Sequence, residues 1–336
     1  MVIHLALEYR NCLEAFMTNL MSFMNALPGA VSQGLIWGIM GIGVYITFRI
    51  LDMADLTVDG SFCTGGAVCV MMMLAGYNVW IAMLAAVIAG MLSGLVTGIF
   101  HTVCGIPAIL AGILTQLGLW SVNLAIMDMR ANQALNVRKY DFLVSLRYMQ
   151  EVENGTRPFY QHPIFTVAVV TAVIIALLYW FFGTERGASI RATGANAHMA
   201  RAQGINTNIN KVLGLMIGNG LVALSGALLS QYSSYAEINM GRGAIVIGLA
   251  AIIISEVTFG KIFRNFALKL LAVSIGSVIY YIVIQMVISL MQINTNYLKL
   301  ISALIVALFL AVPYWQKSFL PKKKRFNGKE KDNAGN

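Results

Sequence analysis

VWIAMLAAVIAGMLSGLVTGIF, residues 79–100, runs for about six helical turns without one charged side chain. A helix facing water needs a polar side. This one offers only Ser93 and Thr97, so its natural surroundings are hydrocarbon, and its length suits a bilayer core about 30 Å thick. Ala82, Ala86, Gly90, Gly94 and Gly98 recur at every fourth position, leaving a low ridge onto which another helix backbone can close. Gly34 with Gly38, and Gly214 with Gly218, repeat the pattern elsewhere.

Outward from this segment the chain holds eight more apolar runs: 31–48, 62–75, 108–126, 164–182, 212–231, 243–254, 266–290 and 300–315. The runs at 62–75 and 243–254 are too short for a straight crossing. The 336 residues are 58% hydrophobic and only 11% charged, where a soluble domain carries roughly 25%. The expected fold is an all-α polytopic membrane protein with nine or ten transmembrane helices, some of them broken. It divides into an amino-terminal amphipathic segment (1–27), a membrane domain (28–316) and a basic, disordered tail (317–336).

Basic residues set the orientation, because cytoplasmic loops hold the excess of Lys and Arg. With the tail inside and nine crossings, fifteen of the 23 basic residues fall inside and eight outside. The inner set includes Arg49, Lys261, Arg264, Lys269 and the loop 184–211. The net charge of +9 is then accounted for by anionic lipid rather than nucleic acid. In the first segment Phe16, Leu20, Met24 and Leu27 share a helical face that Glu8, Arg10 and Glu14 interrupt, which fits an interfacial helix better than a signal peptide. If it spans instead, the crossings number ten. Cys12, Cys63, Cys69 and Cys104 lie scattered, as small packing residues do.

Two polar excursions stand out. Residues 128–161 are nearly neutral and fall outside, where a small amphipathic hairpin or helix would cover the mouth of a pathway. Residues 184–211 carry Arg186, Arg191, Arg201 and Lys211 against Glu185 alone. Their Gly–Ala and Ala–Arg blocks predict short helices broken near Gly194 and Gly204, a compact basic face for a soluble partner beneath the membrane. There is also an internal echo. LDMADLTVDGSFCTGGAVCVMMMLAG (51–76) and EINMGRGAIVIGLAAIIISEVTFG (237–260) each have a glycine-broken polar start and then a short apolar run. Paired interrupted spans in two halves predict an internal repeat with the pathway between them; the alternative is two ordinary helices with glycine-rich ends.

Acids at membrane depth must line water, pair, or cap a helix. Asp55 and Asp59 precede a helix expected to open at 60–62, so capping is the first reading. The second adds that such a helix end, facing the pathway, recognises a polar solute. Gln116 and Asn123 share a face of one span. Ser274, Ser277, Tyr281 and Gln285 form a stripe down another, and Asn219 sits mid-span between two glycines. Interhelical hydrogen bonding is the default for each, and a pathway lining the sharper alternative. No metal site, catalytic constellation or phosphate-binding G-x-x-x-x-G-K-[ST] loop is present, so no cofactor is expected on this chain and any ATP and magnesium would be held by a partner.

RILDMADLTVDGSFCTGGAV (49–68) with GASIRATGANAHMARAQGINTNINK (187–211) resembles the permease subunits of ABC importers of the branched-chain amino acid and ribose permease superfamily, nearest the tryptophan/tyrosine-type branch. The resemblance extends from about residue 27 to 313. It implies that Arg191, Gly194, Arg201 and Gly204 belong to a coupling segment seated on an ATPase subunit. It also implies that 56–61, with Thr57 and Ser61, is a broken span beside the translocation path. It further implies two permease copies, two ATPases, an extracytoplasmic binding protein and a bacterial inner membrane. The competing reading is an ion-coupled carrier using Asp55 or Asp59. A membrane enzyme or sensor is a third, against which stand the missing catalytic set and the missing soluble domain.

Overall fold

The computed structural model describes residues 2–260, 262, 263, 265–291 and 298–319. Lys261, Arg264 and the tail from 320 onward lie outside them. Among the described residues six helices are long and apolar enough to cross a membrane, and shorter apolar helices accompany them. The protein is a polytopic all-α membrane protein.

The first helix, α1 (Val2–Tyr45), continues through Pro28 and ends in a π-helical turn at Ile46–Ile50. The boundary expected at residue 27 is therefore no break in secondary structure, and the stretch suited to crossing is Met17–Ile50. Asp52, in the left-handed region at φ 55, reverses the chain. Then follow α2 (Val58–Leu74), α3 (Val79–Thr102) and α4 (Ala108–Ile126). The excursion contains α5 (Leu146–Glu153) and leads to α6 (Pro163–Gly183). Asn78 and His162 start α3 and α6 by accepting from the Trp80 and Ile164 amides at 3.0 and 3.2 Å.

The basic loop folds into α7 (Glu185–Ala195) and α8 (Ala197–Ala202). The membrane domain closes with α9 (Thr207–Ser233), α10 (Ala244–Phe259), α11 (Phe266–Met291) and α12 (Leu298–Phe319). The excursion is pinned by strand β1 (Asn132–Ala134), which pairs antiparallel with β2 (Tyr235–Glu237) just after α9. Three-residue strands are too short to show the period-two pattern by which a strand is read.

The small-residue ridge of α3 does face a backbone. A side chain at Gly90 would strike the Asn219 carbonyl and Ala223, one at Gly94 the Leu215 carbonyl, and one at Gly98 would sit 3.0 Å from Val212. So α3 lies antiparallel against α9. In the same way Gly34 and Gly38 of α1 face Val278 and Ser274 of α11. Ser274 and Ser277 are buried in that seam, which makes their half of the α11 stripe a packing surface.

These pairings expose the repeat. α1 packs on α11 as α9 packs on α3; α2 packs on α9 as α10 packs on α1; α2 meets α4 as α10 meets α12. Exchanging α1–α4 with α9–α12 preserves every one of these neighbours, and the two halves are inverted because α1 and α9 run antiparallel, Gly43 meeting Gly218 and Leu51 meeting Gly214. The short helices of the echo, α2 and α10, are the equivalent members.

Candidate functional site

The two short helices start side by side. Asp55 turns the chain into α2 by accepting the Thr57 amide on Oδ1 at 2.9 Å. That turn opens α2 at Val58, two residues earlier than expected, and so puts Asp59 inside its first turn. From there Asp59 caps the other short helix, not its own. Its Oδ2 accepts the Gly243 amide at 3.0 Å and its Oδ1 the Ile245 amide at 3.1 Å. Gly243, at φ 86, has no side chain with which to cap α10. The positive end of α10 is therefore held by a carboxylate from the opposite half of the molecule.

Behind this joint is a buried polar chain midway along α9. Asn219 Nδ2 donates to Asp55 Oδ2 at 2.6 Å and to the Leu215 carbonyl at 3.0 Å; Asn219 Oδ1 accepts the Ser61 hydroxyl at 2.6 Å. Asp55, Ser61 and Asn219 are all buried. A second chain joins three helices: the Thr57 and Thr97 hydroxyls lie 2.7 Å apart, and Thr97 donates to Thr115 at 2.9 Å. Each buried polar group in these chains has a partner, which is what keeps such networks from costing stability.

On the excursion side of the joint a cavity of ≈ 300 Å³ is lined by Asp59, Gln116, Trp120, Asn123, Cys63 and Arg242. Asn123 Nδ2 donates to the Gly60 carbonyl at 3.3 Å and so holds α4 against α2. The wall combines a carboxylate, an arginine, two amides and an indole, a set able to meet a small zwitterion. Tyr281 and Gln285 are not among these lining residues. Tyr281 stands 5.9 Å from Trp37, ring to ring, and Gln285 donates to Ser289 at 3.2 Å along its own helix. Thr115, Trp120 and Arg242 escape sequence reasoning, and Thr97 shows there only as a polar residue on an apolar span, because each is a lone polar or aromatic residue brought to the site by the packing of distant segments. Among the described residues no group of three or more His, Cys, Asp or Glu could hold a metal ion.

The basic loop is a stiff elbow at the opposite end. Thr184 starts α7, accepting the Gly187 amide at 3.4 Å, and Asn196 starts α8, accepting the Met199 amide at 3.0 Å. The break between the helices thus falls at Asn196, two residues past Gly194. Gly194 serves a close approach instead, since a side chain there would strike the carbonyl of Ile50 in the π-helical turn. Gly204, at φ 78, makes the later turn. Asn210 Nδ2 donates to Ser189 at 2.7 Å and Thr193 at 2.9 Å, locking α7 to the foot of α9. Arg186, Arg191 and Arg201 are exposed, and Arg201 Nε reaches Thr207 at 2.8 Å.

The model of a protein family described as branched-chain amino acid transport system / permease component matches residues 27–312. The chain belongs to this family. It is a permease component of an ABC-type transport system. It is similar to the tyrosine transport system permease protein of Clostridioides difficile strain R20291, 37% identical over 288 residues, which cover 86% of this chain and 91% of that one. It is 33% identical over 290 residues to an uncharacterized protein of Rickettsia prowazekii strain Madrid E, covering 86% and 98%. A galactofuranose transporter permease protein of Escherichia coli K12 is 26% identical over 187 residues, 55% of this chain and 50% of its own. No solved structure matches.

Proposed function

We propose that this permease imports an amino acid, of the aromatic class, across a bacterial inner membrane, paired with a second copy of itself. A binding protein delivers the solute outside, and a separate ATPase, docked on the α7–α8 elbow, drives the cycle. The substrate class is supported by likeness to the tyrosine-system permease and by Trp120, Asp59 and Arg242 around one cavity. Direction, partners and location are supported by family membership.

The observation that carries the mechanism is the continuity from elbow to joint. Gly194 rests on Ile50; five residues on, the chain turns at Asp55, which binds Asn219. Movement of the elbow is thereby passed to the residues that seat α2 against α10. Nucleotide-driven closure of the ATPases would shift the elbows and switch the pathway from side to side. A carrier mechanism has less to work with, since Asp55 and Asp59 each have both oxygens engaged by N–H donors.

Two results test this. In proteoliposomes with the ATPase and binding protein, labelled tyrosine is taken up, vanadate stops uptake and a protonophore does not; uptake unaffected by vanadate but abolished by the protonophore would establish the carrier instead. Gly194→Val, which drives a side chain into the Ile50 carbonyl, is expected to cut uptake more than about tenfold while ATP hydrolysis continues. A tenfold loss corresponds to about 1.4 kcal/mol of misplaced coupling. Uptake at the unmodified rate would remove Gly194 from the transmission path.

A further inference from the structure

On the elbow side, α1, α6, α7 and α11 enclose a second and larger cavity of ≈ 1000 Å³, with Arg49, Asp52, Arg191 and Lys269 in its wall. Arg49 is already committed, since its Nε and Nη2 reach the two carboxylate oxygens of Glu256 at 2.6 and 2.5 Å. That leaves Arg191 and Lys269 facing a single lining acid, Asp52, and gives the wall a surplus of positive charge. Lys269 is in the first turns of a membrane helix and Arg191 is on the elbow, so both border the level where headgroups lie.

A second feature points the same way. Tyr179 and Trp180 at the rim are 50% and 71% exposed, and such rings favour the membrane–water interface. From Trp180 an exposed apolar stripe climbs α6 through Leu177, Val173 and Val169, at helical spacing on one face. It rises about 16 Å, close to the half-thickness of a hydrocarbon core of about 30 Å. A soluble anion would use the cations and leave the stripe bare. A protein partner would cover the elbow without following α6 into the bilayer. A molecule with a charged head and a long apolar tail uses both.

We propose that this cavity holds an anionic phospholipid, with its phosphodiester between Arg191 and Lys269 and an acyl chain along the α6 stripe. The lipid then bridges the elbow to α11, which makes it a structural partner at the inner leaflet, independent of which solute the permease carries. Basic recesses between membrane helices on the cytoplasmic side suit such headgroups.

The test is native mass spectrometry of the full-length chain in detergent, titrated with phosphatidylglycerol or phosphatidylcholine. Phosphatidylglycerol should bind more tightly by roughly fivefold or more, and Lys269→Gln should weaken it by roughly fivefold, the worth of one cation near a membrane surface. Arg191→Gln serves as an independent variant should Lys269→Gln fold poorly, while Arg138→Gln, on the excursion, should change nothing. Equal binding of the two lipids, or retention unchanged in both cation variants, would overturn the proposal. So would displacement of phosphatidylglycerol by an equal concentration of inorganic phosphate, which marks a soluble-anion site, or by the ATPase subunit, which marks a protein-docking face.

Discussion

Asn219→Leu is expected to abolish transport and to lower the thermal unfolding midpoint of the purified permease. Asn219 is fully buried and engages Asp55, Ser61 and Leu215 at once. Leucine has similar volume, so packing survives and the loss isolates the hydrogen bonds. It leaves the Asp55 carboxylate with Thr57 alone and strands the Ser61 hydroxyl. Each unsatisfied buried group costs about 1–3 kcal/mol, and a charged one more. Against a domain stability of about 5–15 kcal/mol, that is enough to unseat α2. Exchanging the pair, Asp55→Asn with Asn219→Asp, restores an amide–carboxylate contact but turns a carboxylate oxygen toward the Leu215 carbonyl, so partial recovery is expected. A midpoint and uptake in Asn219→Leu equal to those of the unmodified protein would show that the chain of bonds is dispensable.

The nine apolar runs were legible because their lesson is compositional: a long stretch with almost no charge has no stable home in water. Each run has its helix, with ends shifted by a few residues except at the start of the first, where α1 begins at Val2, far ahead of the run at 31–48. The ridge of Gly90, Gly94 and Gly98 was legible for a similar reason, although nothing in the spacing says that its partner is α9. The interior was less open to reading. Asp59 and Ile245 are 186 positions apart, and a carboxylate in a first turn is ordinarily assigned to its own helix. Thr57, Thr97 and Thr115 are hydroxyls any apolar helix tolerates, and only the packing of three helices makes them a chain. The α11 stripe fails in the opposite sense: its spacing is correct, but half of it closes a seam against α1 glycines. Periodicity identifies a face and leaves open what the face meets.

That distinction sets the second large effect, at Asp59. Asp59→Ala is expected to reduce uptake more than about tenfold and to cost about 0.5–2 kcal/mol of stability, the usual worth of a helix cap. It removes both acceptors from the start of α10, where the glycine at 243 offers no substitute. Asp59→Asn keeps one acceptor oxygen and turns an amide NH₂ toward the other backbone N–H, so its loss should fall between those of the wild type and the alanine variant. The graded order is the informative part. If Asp59 acted by titrating a coupling ion, asparagine would be as inactive as alanine, because neither can ionise. If it were a replaceable surface acid near the cavity, both variants would transport normally. Only a cap shared between the inverted halves requires asparagine to be intermediate in uptake and stability together. The same experiment separates the joint from the elbow, because the loss at Asp59 should appear in stability as well as transport, whereas Gly194→Val chiefly disturbs the link to hydrolysis. The two short helices start at one point, and Asp59 of the first fastens the start of the second, so under the proposed mechanism its loss should weaken both halves at once.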